Sequence, residues 1–162
     1  MKPKSKSLPK SRAAARRAIC RDVIAQLNAK KIVATNGDYG TVMQDGTCQA
    51  CALGSMFISV NGTRRLLSTS DYDMRKRLAP YFDERELLDI ETAFESYTTY
   101  GIGGAGSFDA FRYRGNINLD FYDDEYDDKA LRYIMANIIR NGRFEPRDLR
   151  GPRAATPYKT AR

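Results

Sequence analysis

Cys48-Gln49-Ala50-Cys51 is the segment whose residue types and spacing come nearest to covalent chemistry. A CxxC thiol at a helix N-terminus has its pKa lowered by the unpaired amides and the helix dipole, and the corresponding chemistry is thiol–disulfide exchange. A thioredoxin-like site requires a strand–helix–strand setting, whereas a hairpin is expected before these cysteines. The chain contains no histidine at all. Its absence removes His general acid/base catalysis, Ser-His-Asp and Cys-His pairs, and every zinc site that needs imidazole. Three cysteines alone cannot complete a four-ligand zinc site. Cys48 and Cys51 are therefore expected to be buried packing residues, with no metal and no cofactor. The alternative is a small enzyme that uses Cys51 as a thiol nucleophile.

A second candidate is acidic. Asp120, Asp123, Asp124, Glu125, Asp127 and Asp128 place six acids in nine residues. A calcium loop would alternate ligands around a central glycine, which this run lacks. Its readings are a solvated turn whose last acids favour the following helix N-terminus, or a partner-docking surface made by Asp120, Asp123, Asp124 and Glu125. An acid or metal site on residues 120–128 is the enzymatic alternative. Gly101-Ile102-Gly103-Gly104-Ala105-Gly106 satisfies GxGxxG, but a helix precedes it and no helix opens from it. It reads as a connection rather than a dinucleotide site.

Charge is unevenly distributed. The 162-residue chain carries 27 Lys+Arg and 20 Asp+Glu, a net charge of +7. Residues 1–21 hold eight basic residues and no acid: Lys2, Lys4, Lys6, Lys10, Arg12, Arg16, Arg17 and Arg21. Residues 140–162 hold seven basic residues and two acids, which leaves residues 22–139 at net −6. Cations interleaved with small residues are the footprint of a phosphate-backbone binder. No zinc finger, RNP motif or helix-turn-helix accompanies them, so the expected contact with nucleic acid is independent of base sequence.

The elements that must position these groups follow from periodicity. Residues 1–10 are expected to be a disordered basic arm, 11–146 a single domain, and 147–162 a basic C-terminal tail. After Ser11 as N-cap, Ile19, Cys20, Val23, Ile24 and Leu27 share one helical face. Two short strands are expected around an Asn36-Gly37 hairpin turn, then an Asp45-Gly46 turn, then a buried helix over residues 48–60 closed by Asn61-Gly62. Ser70 with Asp73 opens a short helix that Pro80 ends. Asp83 with Glu86 opens a longer one, about 84–97, whose apolar face is Leu87, Ile90, Ala93 and Phe94. A Gly-rich aromatic stretch with one short strand near residues 110–113 follows. The last helix starts at Asp127 or Asp128, repeats Leu131, Ile134, Met135, Ile138 and Ile139, and ends at Asn141-Gly142, with Phe144 packing back and Pro146 forbidding continuation.

The fold class expected is α-rich α+β, with four to five helices and a small β-hairpin. The segment from Gln44 to Ala52 resembles the nucleophile segment of papain-like cysteine proteases, but the glutamine is one residue too far, no tryptophan follows Cys51, and there is no histidine base. Cys51-Ala52-Leu53-Gly54-Ser55 opening a helix after a hairpin resembles small uncharacterised bacterial and phage proteins, as do residues 90–95 and 134–139. That resemblance implies a small accessory protein of bacterial or phage origin and carries over no catalytic residue. The functional expectation is a cytoplasmic, non-enzymatic interaction protein, for instance an inhibitor of a host defence or nucleic-acid enzyme. It docks on a protein or nucleoprotein partner, touches nucleic acid through its tails and crosses no membrane.

Overall fold

The computed structural model describes residues 7–35, 37, 39–62, 70–99 and 126–148. The expectations for residues 1–6, 100–125 and 149–162 lie outside the described residues. They include the GxGxxG segment, the strand near 110–113, the acids Asp120 to Glu125 and the disorder of the two termini.

The protein is α-rich α+β, with five α-helices and a three-stranded sheet among the described residues. Helix α1 (Arg12–Asn28) opens as expected, with the Ser11 Oγ accepting from the Ala14 amide at 3.4 Å. It buries Ala15, Ile19, Cys20, Val23 and Leu27, the face the periodicity picks out. It closes through Lys30, whose φ of +54° lets the Lys31 amide reach back to the Gln26 carbonyl at 2.9 Å.

The sheet corrects the hairpin. Strands β1 (Ile32–Ala34) and β2 (Thr41–Val42) do not pair with each other; β3 (Cys48–Ala50) lies between them, parallel to β1 and antiparallel to β2. The tight connection is at Asp45-Gly46 instead. There Asp45 Oδ1 accepts from the Thr47 amide and hydroxyl at 2.9 and 2.6 Å, and the Met43 amide donates to the Thr47 carbonyl. The β1–β3 register, Ile32 with Cys48 and Ala34 with Ala50, brings four buried side chains together. A hairpin at Asn36-Gly37 would have left that apolar set without β3.

Helix α2 (Ala52–Asn61) is shorter than the expected 48–60, because Cys48 to Ala50 belong to β3. Every residue from Ala52 to Ile58 is buried, so α2 is the central helix, packed against α1, α3 and α4. Helix α3 (Asp71–Leu78) opens with Ser70 accepting from the Asp73 amide at 3.2 Å. Helix α4 (Glu84–Thr99) buries Leu87, Ile90, Ala93 and Phe94. Helix α5 (Tyr126–Asn141) buries Leu131, Ile134, Met135 and Ile138 and packs against α1 and α4. Gly142, at φ +73°, turns the chain out, and a 3-10 turn (Pro146–Asp148) follows.

Candidate functional site

The basic N-terminal segment divides into two sets. Lys10, Arg12 and Arg21 are exposed. Arg16 and Arg17 point into the protein. Arg16 Nε donates to the Tyr81 carbonyl at 2.7 Å and Nη1 to the Gly142 carbonyl at 3.3 Å, while Nη2 pairs with Glu86 at 2.7 Å. Its guanidinium lies 5.5 Å from the centre of the Phe82 ring. Arg17 Nε donates to the Ile139 carbonyl at 2.9 Å, and Arg12 Nε reaches the Tyr81 carbonyl at 3.4 Å.

Tyr81 follows the end of α3, and Ile139 and Gly142 mark the end of α5. Helix C-termini leave carbonyls unpaired and carry partial negative charge, and a planar guanidinium can serve several of them at once. Arg16 and Arg17 therefore cap the C-terminal end of α5, while Arg16 and Arg12 tie α1 to the turn that follows α3. The side chain of Arg16 is only 12% exposed, so its charge is occupied inside the fold.

Glu86 is the other half of this hub. Sequence patterning pairs it with Asp83 in a capping box, and Asp83 Oδ1 does accept from the Glu86 amide at 2.8 Å. The Glu86 carboxylate does not close the box. It accepts from the Phe144 amide at 2.7 Å and holds Arg16, joining α4 to α1 and to the chain leaving α5. Burial raises its pKa above the ordinary carboxylate value, opposed by the Phe144 amide and Arg16.

Asn137, fully buried on α5, completes this end. Its Nδ2 donates to the Glu145 and Asp148 carbonyls at 2.7 and 2.9 Å, and its Oδ1 accepts from the Glu145 amide at 2.8 Å. Arg140 pairs with Asp148 at 3.3 Å and Arg143 with Glu145 at 3.3 Å. Nothing in the sequence marked Asn137 beyond a polar residue amid an apolar helix face, which is the available signal for such a role.

The thiols are sealed. Cys20 and Cys48 are fully buried and Cys51 is 2% exposed. Cys48 lies on β3, so the two cysteines do not share a helix N-terminus. Cys51 is the N-cap of α2, but burial pushes its thiol up to about 12, and the Gly54 and Leu53 amides oppose that rise without overcoming it. Burial likewise raises Cys20, with Glu86 adding to it. Reactive cysteines sit in partly exposed settings that favour the thiolate, and the surroundings of these thiols are of the opposite kind.

Beside α2, the Tyr39 hydroxyl donates to Glu91 Oε1 at 2.6 Å, and Arg75 bridges Glu91 Oε2 and Asp71. The Tyr39 carbonyl rests against α2: a Cβ placed on Gly54 would lie 1.5 Å from it. Gly54 thus admits the chain that precedes β2, a close approach that only glycine permits. Gly37 continues the contact by donating its amide to Glu95 at 3.4 Å.

Among the described residues, no three His, Cys, Asp or Glu side chains are grouped so as to hold a metal ion, and no helix is long and apolar enough to cross a membrane. Of the expected partner-docking acids none is among the described residues, while Asp128, which follows them, pairs with Arg132 at 2.6 Å. No family model, curated protein or solved structure matches this chain.

Proposed function

We propose that this protein is a small, non-enzymatic interaction protein that touches nucleic-acid phosphate through its basic extensions and docks on a macromolecular partner through its acidic middle. A bacterial or phage accessory role, such as inhibiting a host nucleic-acid or defence enzyme in the cytoplasm, fits this reading. The observation that carries it is the contrast between sealed thiols and exposed cations: Cys51 is 2% exposed, whereas Lys10, Arg12 and Arg21 face solvent. Lys2, Lys4 and Lys6 precede them in a segment without acids. Such a surface neutralises phosphates and carries no base-reading device.

Titration of labelled duplex DNA and RNA at about 50 and 200 mM salt tests the reading, because counterion release makes backbone binding weaken steeply with salt. Binding to both, weakened at the higher salt, supports it. No binding to either at the lower salt overturns it. The enzymatic alternative, with Cys51 as nucleophile, predicts one thiol that reacts fast with iodoacetamide at neutral pH. Slow labelling of all three thiols, accelerated only by unfolding, is expected instead.

A further inference from the structure

Helix α1 buries one side and leaves the other to solvent. Ala15, Ile19, Cys20, Val23 and Leu27 form the buried side. The 3.6-residue period places Ala14, Ala18, Arg21, Ala25 and Asn28 opposite them, spaced i, i+4, i+7, i+11 and i+14. Arg21, Ala25 and Asn28 are exposed, and Ala14 and Ala18 are half-buried. Lys10 is exposed four residues before Ala14, and Lys30 and Lys31 are exposed just beyond the helix. Arg17 sits on the rim toward α5. Its Nε donates to the Ile139 carbonyl at 2.9 Å, which fixes the guanidinium while its two terminal nitrogens have no partner among the described residues.

The charge on this outward side is of one sign. Asp22 is the one acid in the α1 sequence, and its carboxylate turns toward α2, where Oδ2 accepts from the Ser59 hydroxyl at 2.9 Å and from Gln26 Nε2 at 2.6 Å. At the far end Asn28 Oδ1 accepts from Arg132, whose charge Asp128 balances at 2.6 Å. The surfaces of α3 and α4 mix signs instead: α3 exposes Asp73 with Lys76 and Arg77, and α4 exposes Glu84 with Arg85. On α1 the positions flanking Arg21 along the stripe, Ala18 and Ala25, carry only methyl groups. No carboxylate and no long neutral side chain stands beside that cation on the stripe.

We infer that the outward face of α1 is the surface along which a nucleic-acid phosphate backbone lies, with Arg21 at its centre, Lys10 and Arg17 toward one end and Lys30 and Lys31 at the other. The inference rests on the nucleic-acid reading above and moves the contact from the extensions onto the folded domain. Charge complementarity selects the occupant: the face offers cations along its length and no carboxylate to repel a polyanion. The 17 residues of α1 span about 26 Å, the rise of about eight base pairs. The cations are fixed to one rigid element at separate heights, so each can neutralise a different phosphate. Alanine has no donor or acceptor for base edges, which makes the contact independent of base sequence. Arg16 does not belong to this set, because its guanidinium is paired with Glu86 inside the fold.

The test uses the full chain with substitutions at exposed positions, and circular dichroism melts check that each variant keeps the fold. Labelled duplex DNA and duplex RNA of the same sequence are titrated at several salt concentrations, with polyglutamate of matching charge as competitor. Lys10→Ala, Arg21→Ala and Lys31→Ala should each shallow the log–log salt dependence on DNA by about 0.9, and the triple variant by about 2.7. Lys76→Ala with Arg77→Ala, on α3, should leave it unchanged. Ala25→Glu should weaken binding about tenfold or more, whereas the uncharged Ala25→Gln should stay within about twofold. Retention of the wild-type slope by the triple variant overturns the α1 face and leaves nucleic-acid binding to the extensions. An equal loss from the α3 variant, or from Ala25→Gln as from Ala25→Glu, overturns it too. Absence of binding by the full chain overturns both readings. Polyglutamate that displaces either duplex at equal charge concentration overturns the nucleic-acid partner in favour of an acidic protein surface.

Discussion

The hub where the start of α1 meets the end of α5 and the seat of Tyr39 on α2 solve the same problem by opposite means. Each must hold a stretch of irregular chain against helices. At the hub, polar groups reach across: Arg16, Glu86 and Asn137 satisfy carbonyls and amides of the turn at Tyr81 and of the chain from Gly142 to Asp148. At the α2 seat a side chain is removed, so that the Tyr39 backbone can rest on Gly54. The first arrangement depends on charge and therefore on pH. The second depends on volume, because the Gly54–Tyr39 backbone contact itself involves no titratable group.

Arg16→Ala strikes the hub hardest. It strips a buried carboxylate, 8% exposed, of its cation and removes donors from the Tyr81 and Gly142 carbonyls. Breaking a buried pair by deleting one partner costs about 3–5 kcal/mol, because the remaining charge stays desolvated. Chemical denaturation should show that loss in full. Arg16→Lys should recover only part of it, since an ammonium lacks the planar fork that serves three acceptors and lies over Phe82. Equal stability of the two variants would reduce the hub to a simple charge pair.

Gly54→Ala is the matching change at the α2 seat. In an isolated helix alanine would be favoured over glycine by about 1 kcal/mol. Here the new methyl would overlap the Tyr39 carbonyl, and the expected result is destabilisation of about 3 kcal/mol, the upper range for overpacking. The midpoint difference from wild type should be the same at pH 5 and pH 8, unlike that of a hub variant. A stabilised Gly54→Ala would show that the chain before β2 does not rest on α2.

Asn137→Ala comes next. It leaves two carbonyls and one amide without their partner, at about 1–3 kcal/mol for a buried unpaired group. Water can reach the partly exposed Glu145 and Asp148, so about 2 kcal/mol is expected overall. Hydrogen exchange should report faster opening of residues 142–148 while α2 keeps its protection. Uniform acceleration throughout the protein would mean that the hub and the core open as one unit.

What was legible in the sequence divides along the same line. Devices that close within four residues, the Ser70 cap on the Asp73 amide and the Asp83 cap on the Glu86 amide, were readable because both partners lie in one short window. The apolar faces of α1, α4 and α5 were readable from their 3.6-residue period. The hairpin was misplaced because Asn36-Gly37 and Asp45-Gly46 are both good local turns, and the choice belongs to the β1–β3 register, decided 16 residues away in sequence. Arg16 and Arg17 looked like members of a uniform cationic arm. Composition does not distinguish a phosphate ligand from a helix cap; that difference lies in which carbonyls α5 brings alongside. The sequence pattern assigned Gly54 no role, because the Tyr39 carbonyl that requires a glycine there comes from a different segment.

The smallest effect expected is also the one that separates the two regions most cleanly. Glu86 has its pKa raised by burial, so the folded protein holds that proton more tightly than the unfolded chain, whose glutamate titrates near about 4.3. For an acid shifted upward, folding gains from protonation: the contribution is fully present below the unfolded value and is lost as pH rises through the folded one. Glu95 shifts the same way, also through burial, so wild-type stability carries a declining component from about pH 4.3 upward. Glu86→Gln keeps the shape and the acceptor for the Phe144 amide while removing the titration. Denaturation midpoints measured across the acid range should therefore decline less with rising pH than in wild type, and Glu95→Gln should flatten the profile independently. If Glu86→Gln reproduces the wild-type profile, Glu86 does not titrate differently in the folded protein, and the hub is held by hydrogen-bond geometry rather than by charge. A Glu86→Gln profile steeper than wild type would mean that Arg16 outweighs burial and draws the carboxylate pKa down, reversing the sign of its contribution.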